Sequence, residues 1–416
     1  MQNIVIVGAS LAGTRAAETL RSAGFTGTIT MVGAEQQKPY DRPPLSKNYL
    51  AGDWDEERIA LRKPEVLDEL NLTWKLGVAA TSLDTTSRTV ALANGESISY
   101  DGLIIATGGD VRRLPNQPDL AGIHTLRTLD DATALRNEIA EGTRVVVIGA
   151  GFIGLEAAAT AKKRGAEVTV LEGLEAPLIR AMGAEMGAAI GAVHERNGVA
   201  VRCGVQVASI NGDARVTGVT LTSGETIAAD VVIVGIGVSP ATTWLESSGL
   251  TLRDGVVCDA HLNAGPATVF VAGDVLRWPN EMFVDVEADM RVEHWTNAAE
   301  QGAHAATNLL AALNGTEQTP YVAVPFFWSD QFDARIQCLG RPSANAVVDV
   351  VAGNPADGKW CAMYSVNNRL TAVLGVSQPK LVMPSRALLS THTSREDALA
   401  HFARVTAPPP PPPPAA

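Results

Sequence analysis

Val145–Gly165 reads VVVIGAGFIGLEAAATAKKRG, and this stretch decides the fold. Val145–Ile148 is an unbroken run of β-branched apolar residues, the pattern of a strand buried on both faces. A glycine-rich turn follows, Gly149-x-Gly151-x-x-Gly154. Next comes an alanine-rich amphipathic segment ending near Gly165, a natural helix C-cap. A second apolar run, Glu167–Leu171, completes a strand–helix–strand unit, and sequential parallel strands of this kind require a doubly wound sheet. The turn carries the chemistry. Its first glycine allows the tight bend, and the second lets a pyrophosphate approach the backbone. The third lets helix and strand pack closely, with the helix N-terminus aimed at the anion. Glu172 lies 23 residues after Gly149, at the end of the second strand. A carboxylate there accepts the ribose hydroxyls of NAD and repels the 2′-phosphate of NADP. No Arg or Lys stands between Glu172 and Ile179 to hold that phosphate, so NADH is expected over NADPH.

The pattern occurs twice. Ile4–Gly24 reads IVIVGASLAGTRAAETLRSAG, and a shift of 141 residues places Gly8, Gly13 and Gly24 on Gly149, Gly154 and Gly165. Strands are expected at Ile4–Val7 and Thr28–Val32, with a helix between them. This copy has Ser10 where the middle glycine is usual. Ser needs little room and can itself donate to a phosphate. Gly33 and Ala34 occupy the usual place of the acid, and Glu35 follows. A hydrolase nucleophile elbow at Ser10 is excluded, because Gly-x-Ser-x-Gly would need glycine where Ala12 stands.

Three more apolar runs end in small residues: Leu103–Gly109, Val231–Gly237 and Val269–Asp274. Each alone is explained by close packing. Beside two fingerprints, they favour ligand approach at the carboxyl ends of central strands. Asp274 can accept a hydrogen bond from a ribityl hydroxyl, or cap a helix.

The chain has 416 residues and a net charge of −12, from 33 basic and 45 acidic side chains. The acidic balance argues against a general nucleic-acid binder. Its 46% hydrophobic and 19% charged composition is that of an ordinary globular protein. The apolar stretch Val231–Leu245 is too short and too polar to span a bilayer. With no Lys or Arg before Arg15, the start reads as a strand rather than a secretory signal, so a cytoplasmic protein is expected. Cys203, Cys258, Cys338 and Cys361 form no Cys-x-x-Cys pair, and the histidines lack ligand spacing, so no metal site is expected.

Six further segments narrow the choice. They are Tyr40–Lys47 (YDRPPLSK), Leu126–Ala132 (LRTLDDA), Gly149–Ala158 (GAGFIGLEAA), Val234–Val238 (VGIGV), Glu293–Gly302 (EHWTNAAEQG) and Phe327–Gln331 (FWSDQ). Through them the chain resembles the FAD-dependent ferredoxin reductases of bacterial oxygenase systems, over about residues 2–377. The resemblance implies an α/β fold: two Rossmann-like nucleotide-binding domains of the glutathione-reductase-like kind, plus a C-terminal α+β interface domain. The expected boundaries are 1–111 with 244–316 for a discontinuous FAD domain, 112–243 for the NAD domain and 317–406 for the interface domain. A Pro-rich tail, 407–416, contains the run Pro408–Pro414, expected as extended polyproline II.

The resemblance also implies site residues. Gly8, Ser10, Ala12 and Gly13 would hold the FAD pyrophosphate, Glu35 the adenosine ribose, and Ala80 would contact the adenine part. Thr107 and Arg127 would line the crossing between domains, Arg42 and Lys47 the flavin side. Asp274 would bind ribityl, and Trp295 would sit beside the isoalloxazine. Gly149, Gly151, Phe152, Ile153, Gly154, Glu156, Glu172 and Gly237 would form the NADH site. Lys47, Glu156 and Trp295 are the expected catalytic residues. Arg42 stands before two prolines that stiffen the segment, as a cation poised to stabilise the anionic reduced ring. Lys47 and Glu156 are expected as an ion pair at the flavin–nicotinamide junction. Burial alone would explain Trp295 and Trp328 as core aromatics, but a flat wall on the flavin is favoured for Trp295.

The implied activity is hydride transfer from NADH to FAD, then single-electron transfer to a 2Fe–2S ferredoxin that feeds a haem-thiolate monooxygenase or a Rieske dioxygenase. Thiol relay is excluded, because the disulfide-using members carry cysteine near Tyr40–Lys47 and the first cysteine here is Cys203. The alternatives are a rubredoxin reductase, an NADH oxidase or a flavin-binding redox sensor on the same fold. A monomer or weak dimer is expected. Since such ferredoxins are acidic, a local basic patch around Arg291, Arg335, Arg341 or Arg369 is the expected docking feature.

Overall fold

The strand Asn3–Val7 is the middle of a five-stranded parallel sheet ordered Val269–Val271, Gly102–Ile105, Asn3–Val7, Thr28–Gly33, Thr73–Leu76. The computed structural model describes residues 2–407, so the Pro408–Pro414 run lies outside the described residues. Four of the five residues of Asn3–Val7 are buried, as an uninterrupted β-branched run demands. The helix Leu11–Ser22 connects the first two strands and packs against the long helix Trp295–Asn314. A side chain at Gly302 would put its Cβ 2.2 Å from Ala12 O, so only glycine permits that approach.

The second sheet repeats the design. Its order is Ala200–Arg202, Glu167–Leu171, Arg144–Ile148, Val231–Val234, Ile123–His124, again all parallel. The helix Phe152–Lys163 makes its first crossover. The chain leaves the first sheet after Ile105, builds the second, and returns at Val269. The outgoing strand Gly109–Val111 and the returning strand Val238–Pro240 pair antiparallel, side by side. Each sheet also carries a small three-stranded antiparallel sheet.

A third layer follows. Five antiparallel strands are ordered Phe326–Gln331, Ala334–Gly340, Arg369–Val376, Lys359–Val366, Val347–Asn354. Ile336, Trp360 and Tyr364 from this layer share one apolar cluster with Leu155 and Ala158 of the Phe152–Lys163 helix and with Leu45 and Leu50. Tyr364 Oη also donates to Met182 O at 2.8 Å. The layer thus packs where the two sheets meet. The last helix, Arg395–Thr406, starts at Ser394, whose hydroxyl accepts from Asp397 N.

Candidate functional site

The strand order reverses between the first strand and its neighbour Gly102–Ile105, the switch point at whose carboxyl ends doubly wound sheets hold ligands. Gly8 sits there at φ +125°, and an added Cβ would lie 2.0 Å from Ala106 O. The next residues enter a helix whose first-turn N–H groups have no intrahelical acceptor and whose first turn carries no acid. Ser10 is the N-cap and makes no capping bond, leaving its hydroxyl for a ligand. Gly13 lets the helix ride 2.0 Å, measured from a would-be Cβ, from Gly8 O. Ala12 turns its methyl to Gly273 and offers a ligand only backbone. Thr107 Oγ1 donates to Ala241 O at 3.0 Å, across the paired crossing strands. Arg127 and Asp274 meet at 3.3 Å. No helix follows Asp274; the chain turns into the short strand Leu276–Arg277, so helix capping does not explain this acid. Ala80 opens the strand Ala80–Asp84 and packs against the first core.

Glu35 and Arg42 are bound to each other: the Arg42 guanidinium donates to Glu35 Oε1 at 2.5 Å and to Arg127 O at 2.6 Å. Tyr40 Oη donates to the other Glu35 oxygen at 2.5 Å. Burial holds the Tyr40 phenol well above its ordinary pKa, so it stays a donor. The positive charge of Arg42 is therefore compensated within the protein. Pairing across seven residues of loop is not visible in the spacing, whereas the rigid Pro43-Pro44 is.

The second fingerprint is built alike. Gly149 has φ +102°, and its Cβ would lie 2.4 Å from Gly235 O; that of Gly154 would lie 2.3 Å from Gly149 O. Gly151 is different, since an added Cβ would meet nothing within 4 Å. The protein's own packing does not require that glycine. Gly237 is equally open. Phe152 and Ile153 start the helix, which has no acid in its first turn. Glu172 Oε2 accepts from Ala150 N at 2.8 Å and Oε1 from Leu174 N at 2.9 Å. The carboxylate is thus fixed at the turn with lone pairs left for ribose hydroxyls. Replacing it by alanine should raise relative kcat/KM for NADPH over NADH about tenfold. Unchanged relative values would remove the assigned role.

Lys47 and Glu156 close the expected ion pair, Nζ to Oε2 at 2.5 Å, with Glu156 only 5% exposed. The pair joins the segment that follows the first βαβ unit to the helix of the second. Ser46 Oγ donates to the same carboxylate oxygen at 2.5 Å and Ser329 Oγ to the other at 2.6 Å. Trp295 begins its helix and is 37% exposed, so core burial does not explain it. Its indole N–H donates to Asp41 Oδ1 at 2.6 Å. Burial raises the Asp41 pKa, against the pull of that bond and of Lys47. Phe152, Phe327 and His294 form a row with centroids 4.9 Å apart, running from the NAD-type helix to the start of the Trp295 helix. His294 is half-buried, and desolvation drives its pKa down to about 3, so the ring is neutral. Ser46, Asp41, Ser329 and Gln331 escaped the reading of single motifs. The signal for the last two was there: polar residues two apart on a strand share one face.

Two glycine turns that each open a helix with no acid in its first turn, each with an acid after its second strand, and an ion pair between the two units define the pattern of a two-dinucleotide oxidoreductase. The comparisons carry this further. The pyridine nucleotide-disulphide oxidoreductase family model matches residues 2–302, and a reductase C-terminal model matches 326–403. The chain belongs to the pyridine nucleotide-disulphide oxidoreductase family. It is 40% identical to rhodocoxin reductase of Rhodococcus erythropolis, over 94% of this chain and 90% of that one. It is 38% identical to a ferredoxin–NAD(P)+ reductase of a Sphingomonas species, over 93% and 92%. Putidaredoxin reductase, in its covalent complex with putidaredoxin, superposes with a TM-score of 0.89 at 31% identity, covering 97% of this chain and 98% of that one. The disulphide of the family name has no counterpart in the described residues, where the cysteines are free and three of the four are buried.

The basic patch is corrected. Arg291 pairs with Asp254 and Glu293, Arg335 with Asp330, Arg341 with Glu287, and Arg369 is buried against Asp285. Each cation is matched by an acid, as a net charge of −12 makes easy, so these arginines form no uncompensated patch.

Proposed function

We propose that the chain is an NADH-dependent ferredoxin reductase, taking electrons from NADH through FAD and passing them to a 2Fe–2S ferredoxin that serves an oxygenase. FAD, when bound, supplies the conversion of a two-electron hydride donor into a one-electron source. The chain supplies the rest. The Gly8–Gly13 turn and Ser10 would hold the FAD pyrophosphate, Glu35 the adenosine ribose, and Asp274, fixed by Arg127, the ribityl chain. The Gly149–Gly154 turn and Glu172 would hold NADH. Lys47, Glu156 and Trp295 would line the place where ring and nicotinamide stack, orienting them and excluding water. The observation that supports this reading is the Lys47–Glu156 bridge, which ties the two fingerprint units together and would lie where the two redox rings stack. The names of the relatives, ferredoxin and rhodocoxin reductases, favour ferredoxin as the acceptor. Cytoplasm is the compartment that fits; among the described residues no helix is long and apolar enough to cross a membrane.

Purified protein should be yellow and should bleach on mixing with NADH without oxygen. A colourless protein that binds no added FAD would refute the proposal.

A further inference from the structure

The carboxylate of Glu156 is the end of a longer buried chain. Gln331 Nε2 donates to Ser329 Oγ at 3.0 Å, and Gln331 Oε1 meets His194 Nε2 at 2.9 Å. Ser329, Gln331 and His194 are each 0% exposed. Burial lowers the His194 pKa, so the ring is neutral; with a carbonyl oxygen opposite Nε2, that nitrogen carries the proton. Each link then donates in one direction: His194 to Gln331, Gln331 to Ser329, Ser329 to Glu156 Oε1. Lys47 and Ser46 donate to Oε2 from the other side. Hydrogen bonds aligned head to tail polarise one another, and the sense of this chain favours negative charge at its end.

The chain also crosses the architecture. His194 lies on the helix Ala184–Arg196 of the second fold and Glu156 on the helix Phe152–Lys163. Ser329 and Gln331 come from the first strand of the C-terminal layer, and Ser46 and Lys47 from the segment after the first fingerprint. A buried carboxylate is tolerable only when its remaining lone pairs are satisfied. Ser329 satisfies the oxygen that Lys47 leaves free.

We infer that Ser329, with Gln331 and His194 behind it, is a positioning residue: through it the C-terminal layer fixes the orientation and charge of Glu156, and so the place of the Lys47 ammonium. This rests on the reading that Lys47 and Glu156 stand at the hydride-transfer junction. The strand Phe326–Gln331 thereby joins the active-site machinery through Ser329 and Gln331.

The test is a double-mutant cycle on the flavin-loaded protein with two readouts. In anaerobic single-turnover mixing, Ser329→Ala should slow bleaching at saturating NADH about tenfold and change the apparent NADH dissociation constant less than twofold. In the Glu156→Gln background the same substitution should cost less than twofold, because its target is gone. The second readout needs no cofactor. The infrared carboxylate band assigned to Glu156, from the difference between native and Glu156→Gln protein, should shift in Ser329→Ala. An unshifted band with a native bleaching rate, or a loss that adds fully to that of Glu156→Gln, would overturn the inference. If Ser329→Ala holds no flavin, Gln331→Met, which keeps the volume and removes the donor, is read in the same way and should lose about threefold. Lys47→Met separates the two levels. If it leaves bleaching native, the junction reading fails. If it slows bleaching while Ser329→Ala and Gln331→Met do not, only the chain fails.

Discussion

Gly8→Ala should yield folded protein that carries less than about a tenth of the native flavin, the effect of about 1.4 kcal/mol or more of lost binding. Gly8 combines two constraints. Its φ of +125° belongs to a region that L side chains rarely adopt, and the added Cβ would fall 2.0 Å from Ala106 O and 2.4 Å from Ala106 C. Neither neighbour is the end of a flexible side chain, so the strand end or the turn must move. Strained backbone of this kind costs on the order of 1–3 kcal/mol, and the clash adds to it. The movement displaces the first-turn N–H groups and Ser10 from the crevice. Gly24→Ala is the control. It also has positive φ, +83°, but nothing lies within 4 Å of its added Cβ. It should cost about 1 kcal/mol and keep its flavin. The flavin-to-protein absorbance ratio, with circular dichroism to confirm folding, checks both. Native flavin content in Gly8→Ala would show that the turn is not the cradle.

Lys47→Met should slow anaerobic reduction by NADH about a hundredfold, the size seen when one preorganised electrostatic group is removed from an active site. It should also destabilise the protein. Removing one partner of a buried pair leaves an uncompensated charge, typically about 3–5 kcal/mol. Ser46 and Ser329 remain on the Glu156 carboxylate and temper that loss. Adding Glu156→Gln removes the stranded charge, so the double variant should recover most of the stability and none of the rate. That separation distinguishes a pair that acts in the chemistry from one that only holds the fold. Thermal unfolding and stopped-flow bleaching are the two measurements. A double variant with the native rate would contradict the role.

The parts of this fold that were legible in the sequence are those enforced by the backbone itself. Val145–Ile148 and Glu167–Leu171 pair in parallel register, as an apolar strand–turn–helix–strand pattern requires. The glycines at 8, 13, 149 and 154 each answer to a carbonyl oxygen close by, so no other residue fits there. The Lys47–Glu156 pair was foreseeable only through resemblance, because 109 residues separate its members. What stayed hidden depends on which side chains the tertiary fold brings together. Arg42 reads as a cation next to two prolines, and the sequence does not show that Glu35 and Tyr40 close on it. The arginines at 291, 335, 341 and 369 read as a basic patch because the acids that match them are partly distant in sequence: Asp254, Glu287 and Asp285 among them. The His194–Gln331 contact spans 137 residues and joins two layers, and no local pattern announces it.

Charge compensation bears on the partner. With those arginines paired, docking of an acidic ferredoxin cannot rest on them as bare cations. The central claim is the electron acceptor. The most direct measurement is NADH-driven cytochrome c reduction by the flavin-loaded protein, with and without an added 2Fe–2S ferredoxin. Slow reduction alone, and reduction that rises steeply and saturates with ferredoxin concentration, is the predicted result. A rate that is already high without ferredoxin and does not change when it is added would contradict the assignment.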